Sequence, residues 1–579
     1  MKEFLYSKWI QQLIVVLHVV ALTALVADYG FILNTTIKSG IISLYLFVLV
    51  IGIFYTVFKY YYHRKEFILS VFIFDTLSVL FVLYCLHKQL STGGIIEITH
   101  WIRWAVILKL IREFTRPRLS YKRSLLNPAQ LFIISFMGLI LTGALLLMSP
   151  NATYQGISFV DALFTSTSAV CVTGLIVVDT SSYFTPFGQT LILLLIQAGG
   201  LGILTFASYF SYFFKGGSTY ENQLALSDMT NSDKIGEVFT TVKRILAITF
   251  LIEFIGAILI FFNLDKALIP SFSERIYFSA FHSISAFCNA GFSTLPNGMM
   301  QAEYVYNYPL QFIIVIIFVF GGLGFPIVIN SVRYIKYLIS RYILWFFNKR
   351  NNYRLWILTL SNKINLITTT LLIFLGTLII YIKEYYNVLG NHQGVGKVVT
   401  ALFTATTPRT AGFNSIDFSQ MHFSSIIIII FLMWVGASPA STGGGIKTST
   451  FAIATLNYFS LAKGKTKIEV FRREIADISV RRAFAVMSLS LLVIGISIFL
   501  ISHYDNNIPL LNIAFESFSA YSTTGLSLGI TATLTDESKM VLVATMFIGR
   551  VSMLTILIAF FKKVKQINYH YPSDEILIN

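Results

Sequence analysis

Apolar runs separated by short polar links dominate the chain. They fall at Ile10–Ala27, Ser39–Phe58, Phe67–His87, Ile95–Arg112, Gln130–Met148, Phe187–Phe213, Ile245–Phe262, Leu310–Asn330, Ile364–Ile382, Phe423–Phe451, Ala483–Ser502 and Met540–Phe561. A helix needs about 20 apolar residues to cross a bilayer, so the pattern predicts an all-α polytopic membrane protein of about twelve spans. Between successive pairs of the later runs lie shorter stretches. They are too short to cross and too apolar to be ordinary surface loops.

Those short stretches repeat. Each ends in a glycine, at Gly174, Gly291, Gly412 and Gly525, spaced 117, 121 and 113 residues apart. Aligned on the glycine, DALFTSTSAVCVTGL, FSAFHSISAFCNAGF, VTALFTATTPRTAGF and NIAFESFSAYSTTGL agree without a gap. Ten residues before it stand Phe164, Phe281, Leu402 and Phe515. Eight before stand Ser166, Ser283, Thr404 and Ser517; six before, Ser168, Ser285, Thr406 and Ser519. Each unit reads as span, short re-entrant helix, glycine-containing extended strand, span. The boundaries are 124–235, 236–363, 364–482 and 483–565, after an N-terminal four-span region (1–123) and before a short tail (566–579).

Composition narrows the class. Charged residues make up 12% of the 579 residues and apolar ones 55%, against about 25% charged in a soluble domain. This excludes both a soluble globule and a disordered chain. The 43 basic and 27 acidic residues give a net charge of +16, read here as basic cytoplasmic loops touching anionic lipid rather than as a nucleic-acid surface. Ser331–Lys363 and Asn457–Arg482 concentrate the basic residues, so both are assigned to the cytoplasm. Lys59, Arg64 and Lys65 after the second run, and Arg116, Arg118, Lys122 and Arg123 before the fifth, mark two more cytoplasmic links. Parity then favours crossing by the segment around Trp101–Arg112 over the alternative of an amphipathic helix lying flat in the interface. No cleavable leader is expected at the first run, and the N- and C-termini are placed in the cytoplasm. Cys85, Cys171 and Cys288 offer neither a disulfide framework nor zinc-ligand spacing.

Irregular backbone at membrane depth is tolerated only where protein buries it or a water-filled path runs past it. Four such strands around one axis would aim carbonyl oxygens at a common point, and a ring of carbonyls replaces a cation's hydration shell. On these residues the chain resembles the ion-translocating subunit of the Trk/Ktr/HKT superfamily of potassium transporters, over about 125–562. The resemblance implies pseudo-fourfold membrane–pore–membrane repeats in one chain, with a potassium-channel-like pore. It implies K⁺ uptake across the cell inner (cytoplasmic) membrane, and a homodimer associated with a cytosolic nucleotide-binding regulatory subunit. The filter it implies comprises Val172, Thr173, Gly174 and Leu175; Asn289, Ala290, Gly291 and Phe292; Thr410, Ala411, Gly412 and Phe413; and Thr523, Thr524, Gly525 and Leu526, with K⁺ at their backbone carbonyls. Each strand has one matched glycine rather than a TVGYG string, which weakens the expected discrimination. Glycine at 174, where plant-type members can carry serine, favours K⁺ over Na⁺.

The third unit's second run contains GASPASTGGGIKT, from Gly436 to Thr448. Pro439 and three consecutive glycines cannot sustain a helix. With Ser438, Ser441, Thr442, Gly443, Gly444, Gly445 and Lys447 the segment reads as a flexible constriction below the filter, where the resemblance also puts an intramembrane gating loop. QAGGLG (Gln197–Gly202), FGGLG (Phe320–Gly324) and IGRVS (Ile548–Ser552) occupy comparable places. The loop imitates a phosphate-binding motif, but Ile446 separates Gly445 from Lys447 and a membrane run, not a strand, precedes it. A membrane NTPase is the different-class alternative, and no enzyme activity is expected. Arg550, in the middle of the last run, is expected to project beneath the filter and bond the loop carbonyls. Arg409 is expected to tie down carbonyls at the end of a pore helix.

In the N-terminal region Asp75 on the third helix and Arg103, Lys109 and Arg112 on the fourth loosely resemble a voltage sensor. A structural or lipid-binding bundle is the plainer reading. Glu253 and Asp161 are candidate coupling carboxylates should Na⁺ or H⁺ be co-transported. No organic cofactor is expected. The tail after Lys562 offers no room for a regulatory domain, so nucleotide control is assigned to another chain.

Overall fold

The computed structural model describes residues 8–31, 34–62, 69–92, 100–114, 128–215, 238–346 and 359–560. The basic positions Arg64, Lys65, Arg116, Arg118, Lys122, Arg123, Lys349, Arg350 and Arg354, and the tail 566–579, lie outside them. Nearly everything described is helical. An N-terminal bundle comprises α1 (Lys8–Gly30), α2 (Thr35–Tyr62), α3 (Leu69–Thr92) and α4 (His100–Phe114). Then come α5 (Pro128–Leu147), α6 (Phe159–Val170) and α7 (Pro186–Lys215); α8 (Val238–Asn263), α9 (Phe272–Cys288), α10 (Tyr308–Leu323) and α11 (Phe325–Phe346); α12 (Leu360–Lys383), α13 (Val395–Thr406), α14 (Phe423–Trp434) and α15 (Thr448–Ala462). A small antiparallel hairpin, β1 (Glu469–Val470) and β2 (Arg473–Glu474), leads to α16 (Asp477–Tyr504), α17 (Leu510–Ser522), α18 (Asp536–Val551) and α19 (Met553–Phe560).

The distribution of polarity is that of a protein with lipid around it. Phe254 and Phe262 on α8, Phe374 on α12 and Phe499 on α16 are exposed, whereas Ser166, Thr167, Ser168, Ser283, Ser285, Ser517 and Ser519 are buried. Among the described residues five helices are individually long and apolar enough to cross a membrane: Thr35–Phe58, Phe72–Ser91, Lys243–Asn263, Leu360–Lys383 and Asp477–Tyr504. Three of the twelve expected runs are interrupted rather than continuous. Leu310–Asn330 breaks at Gly324, and the helices on either side meet at 108°. Phe423–Phe451 loses its helix over 435–447, and Met540–Phe561 breaks at Ser552. The QAGGLG segment, by contrast, leaves α7 unbroken.

The first helix of each unit packs on the short helix that follows, and hydroxyls seal the contact. Ser166 donates to the Ile140 carbonyl at 2.7 Å, Ser283 to the Glu253 carbonyl at 2.6 Å, and Ser497 to Ser517 at 3.3 Å. The third unit differs, since Thr404 bonds within its own helix, to the Thr400 carbonyl. Ser158 caps α6 through the Asp161 amide, and Asp161 also pairs with Lys539 on α18 at 2.7 Å. This candidate coupling carboxylate therefore ties the first unit to the fourth.

In the N-terminal bundle the buried charges are matched internally. Arg103 pairs with Asp28 at 2.8 Å, Arg112 with Asp75, and the Lys109 amine donates to the Gly52 carbonyl and to Thr56. Such pairing is what makes ionised groups tolerable at membrane depth. The bundle docks on the first unit where Asn151 donates to the carbonyls of Tyr29 and Gly30, both at 3.0 Å, and Tyr29 stacks on Phe187.

Candidate functional site

The four short helices α6, α9, α13 and α17 each run into an extended strand carrying the repeated glycine. Two residues before that glycine the backbone turns left-handed, at Val172, Asn289, Thr410 and Thr523, and the glycines themselves have φ of +90°, +69°, +77° and +89°. A side chain at Gly174, Gly291, Gly412 or Gly525 would therefore strain the backbone. It would also strike the neighbouring strand. A Cβ on Gly174 meets the Ala290 carbonyl, one on Gly291 meets Gly412, one on Gly412 meets the Thr524 carbonyl, and one on Gly525 meets the Thr173 carbonyl. These contacts close into a ring in chain order.

The amides of the ring point backwards. Thr173 N–H donates to the Ser168 carbonyl, Ala290 to Ser285, Ala411 to Thr407 and Thr524 to Ser519, at 2.7–2.9 Å. The hydroxyls six before the glycine add a second tie in three units: Ser168 and Ser519 accept from Gly174 and Gly525, and Ser285 donates to the Phe292 carbonyl. In the third unit Thr406 bonds its own helix and the neighbouring Thr407 donates to Phe413 instead. With these amides engaged behind, the carbonyls of Thr173, Ala290, Ala411 and Thr524 lie against a neighbouring strand's glycine. Outside the ring lies a vestibule of about 500 Å³, lined by residues from all four strands. Its charged lining residues are Asp179 and Asp417, each five residues beyond its glycine.

On the opposite side the 436–447 segment comes up against the strands' inner ends. Gly444 N–H donates to Thr523 Oγ1 at 3.0 Å, Thr442 Oγ1 to the Phe287 carbonyl at 3.3 Å, and Gly443 has no room for a Cβ beside Thr410. Ser438, Thr448 and Asn365 form a buried hydroxyl–amide cluster that anchors the segment's ends. Ser441 donates to the Ser438 carbonyl, and the Lys447 amine to that of Gly443 at 2.6 Å. Phe325 N–H at the Gly324 break donates to the Ala440 carbonyl next to Pro439. Arg550 is buried and donates to the carbonyls of Thr442, in this segment, and Gly199, on α7. Arg409 reaches the carbonyls of Gly436 and Thr369 at 3.4 Å, so it holds the start of the segment rather than the end of a pore helix.

One feature of the spans is a matter of distance, not of breaks. A Cβ on Gly199, Gly321 or Gly549 would strike the carbonyl of Val170, Phe287 or Tyr521, each four residues before its unit's ring glycine. These glycines let a span lie directly against the end of a short helix. In the third unit that helix end carries Pro408, whose carbonyl accepts from Thr524 Oγ1. Glu253 is bonded by the Gln197 amide at 3.0 and 3.1 Å, next to Cys288.

The TrkH profile, described as a cation transport protein, matches residues 95–570. The chain belongs to the TrkH family of cation transport proteins. The family is one of multi-pass membrane transporters, not of enzymes. The Ktr system potassium uptake protein B of Bacillus subtilis is 37% identical over 454 residues, covering 78% of this chain and 96% of that one. The potassium/sodium uptake protein NtpJ of Enterococcus hirae is 34% identical over 469 residues, 79% of this chain and 98% of that one. The solved potassium transporter TrkH from Vibrio parahaemolyticus shares the fold, with a TM-score of 0.60 at 17% identity over 84% of this chain and 98% of that one. The family match begins within the N-terminal bundle, after α1, α2 and α3.

Proposed function

We propose that the chain mediates K⁺ uptake through a single-chain, pseudo-tetrameric pore in the cytoplasmic membrane. The observation that carries this reading is the closed ring of four glycine strands, its amides tied backwards and the carbonyls of Thr173, Ala290, Ala411 and Thr524 set against a neighbouring strand's glycine. Such a ring suits a dehydrated alkali cation. In this reading the strands around Gly174, Gly291, Gly412 and Gly525 are the selectivity filter and the vestibule is the outer mouth. The 436–447 segment, latched by Arg550, is the gate. The basic hairpin around Lys465 and Lys467 lies beyond α15, on the gate side, which supports a cytoplasmic assignment for that side. A second copy of the chain and a cytosolic nucleotide-binding subunit complete the reading, facing the same basic side.

The test is uptake of ⁸⁶Rb⁺ and ²²Na⁺ into proteoliposomes, with and without an imposed Na⁺ gradient. Gly174→Ser and Gly412→Ser are expected to lower the Rb⁺/Na⁺ ratio by about tenfold or more, because each strains the backbone and displaces a carbonyl of the next strand. An unchanged ratio in both variants removes these residues from the filter. Stimulation of Rb⁺ uptake by the Na⁺ gradient assigns Na⁺-coupled symport; indifference to it excludes Na⁺ coupling, and a pH gradient imposed in the same way separates H⁺ coupling from a gated channel.

A further inference from the structure

The position nine residues before each ring glycine is buried in all four units, yet holds Thr165, His282, Phe403 and Glu516 in turn. In the second and fourth units this residue reaches forward to a serine two residues beyond the glycine. His282 Nε2 lies 2.9 Å from Ser293 Oγ, and its Nδ1 lies 2.9 Å from the Phe278 carbonyl oxygen. Only an N–H can satisfy that carbonyl, so the neutral ring carries its proton on Nδ1 and Nε2 accepts from the Ser293 hydroxyl. Ser293 Oγ then accepts the Leu295 amide at 3.0 Å. In the fourth unit Ser527 donates to Glu516 Oε1, Thr531 donates to the same oxygen at 3.0 Å, and Ser527 Oγ accepts the Gly529 amide at 2.8 Å. Two different side chains thus build the same brace from helix to strand.

The other two units lack it. In the first, the position beyond the glycine is Ile176 and Thr165 Oγ1 is buried without a partner. In the third, Phe403 offers no hydrogen bond, and Asn414 turns to Met300 Sδ at 3.2 Å. Because the ring closes in chain order, the braced strands face each other across it, and so do the unbraced ones. Ser293 and Ser527 both line the vestibule immediately outside the ring.

We propose that His282 and Glu516 are positioning residues for ion selectivity: through Ser293 and Ser527 they pin the outer ends of two opposite strands to their pore helices. This rests on the glycine strands being the filter. A ring of oxygens favours the larger ion only if it resists closing around the smaller one. A strand whose outer end is fixed to a buried, close-packed helix cannot contract without moving that helix. The unbraced first and third strands supply whatever yielding ion passage requires.

The experiment compares Rb⁺/Na⁺ uptake ratios of the full chain in proteoliposomes. Ser293→Ala with Ser527→Ala removes both braces from small side chains at the vestibule wall. It is expected to lower the ratio by about fivefold per brace while Rb⁺ uptake persists, the scale of one hydrogen bond lost at each. Ser293→Thr with Ser527→Thr keeps the hydroxyls and is expected to keep the ratio, as is Thr165→Val in an unbraced unit. The two single alanine variants give the same reading if the double variant does not accumulate. An unchanged ratio in the alanine variants, with Gly412→Ser lowering it, overturns the brace and leaves the filter standing. An unchanged ratio in Gly412→Ser as well overturns the filter itself. A fall of equal size in Thr165→Val overturns the brace as a specific device and assigns the effect to general packing.

Discussion

On the vestibule side of the glycine ring the charged lining residues are Asp179 and Asp417; on the loop side the basic residues are Arg409 and Arg550, both buried, and the half-buried Lys447. The acids sit at the same place in two opposite units and are held by ordinary turn chemistry. Asp179 accepts from the amides of Ser181 and Ser182, and Asp417 from that of Ser419. The basic residues come from three separate places in the chain and converge on one segment, each spending its protons on backbone carbonyls. If the ring is the filter, as proposed, one face would attract a cation from water while the other would oppose it. On that reading the barrier lies on the loop side: what lies outside the ring would raise local concentration, and what lies inside would decide passage.

The strongest way to break that comparison is to remove the Arg550 charge. At an effective dielectric of about 20 and a separation of about 10 Å, one positive charge costs a passing cation about 1.7 kcal/mol. Arg550→Ala is expected to raise Rb⁺ flux by about tenfold. Arg550→Gln separates charge from tether, since its amide can still donate to the Thr442 carbonyl. A Gln variant that behaves as the wild type assigns the arginine to holding the segment, not to repelling ions. Lower flux in both variants reverses the assignment and makes Arg550 a support for the open path.

Arg409 sharpens the same contrast at lower stakes. Its contacts with the Gly436 and Thr369 oxygens are long, at 3.4 Å, and hydrogen bonds weaken over such distances. Arg409→Met, which preserves length and apolar volume, is expected to raise flux by about threefold. An effect as large as that of Arg550→Ala would mean that both ends of the segment control the barrier equally.

The chain's local pattern carried part of this and hid the rest, for identifiable reasons. The four short helices and their glycines were legible because each position recurs four times in register. The Gly436–Thr448 break was legible because proline and a glycine run forbid a helix whatever surrounds them. The 108° bend at Gly324 was not, since an apolar run reads the same whether its helix is straight or folded back. Gly199 looked like a break and is a close approach: α7 stays helical there, and only its neighbour, the Val170 carbonyl, explains the missing side chain. The partner of Asp161 was hidden as well, since Lys539 lies 378 residues further on. The matched His282 and Glu516 were invisible because a repeat aligned on identity conceals two unlike side chains making one contact.

The vestibule acids give the smallest expected effect and the most selective test of the outer face. Asparagine caps a turn as well as aspartate does, so Asp179→Asn with Asp417→Asn deletes two charges and leaves the amide contacts in place. In water a charge about 10 Å from the ion contributes only about 0.4 kcal/mol. Two of them correspond to about a fourfold rise in the K⁺ concentration for half-maximal uptake at low ionic strength. At about 0.15 M salt the Debye length is about 8 Å, and the rise is expected to fall below about twofold. Half-saturation measured at the two ionic strengths, adjusted with an impermeant organic cation, decides the matter. An equal shift at both would show that the substitutions deform the mouth rather than discharge it. No shift at low ionic strength would mean that the incoming ion does not sense these acids, and the contrast between the two faces would then rest on the basic side alone.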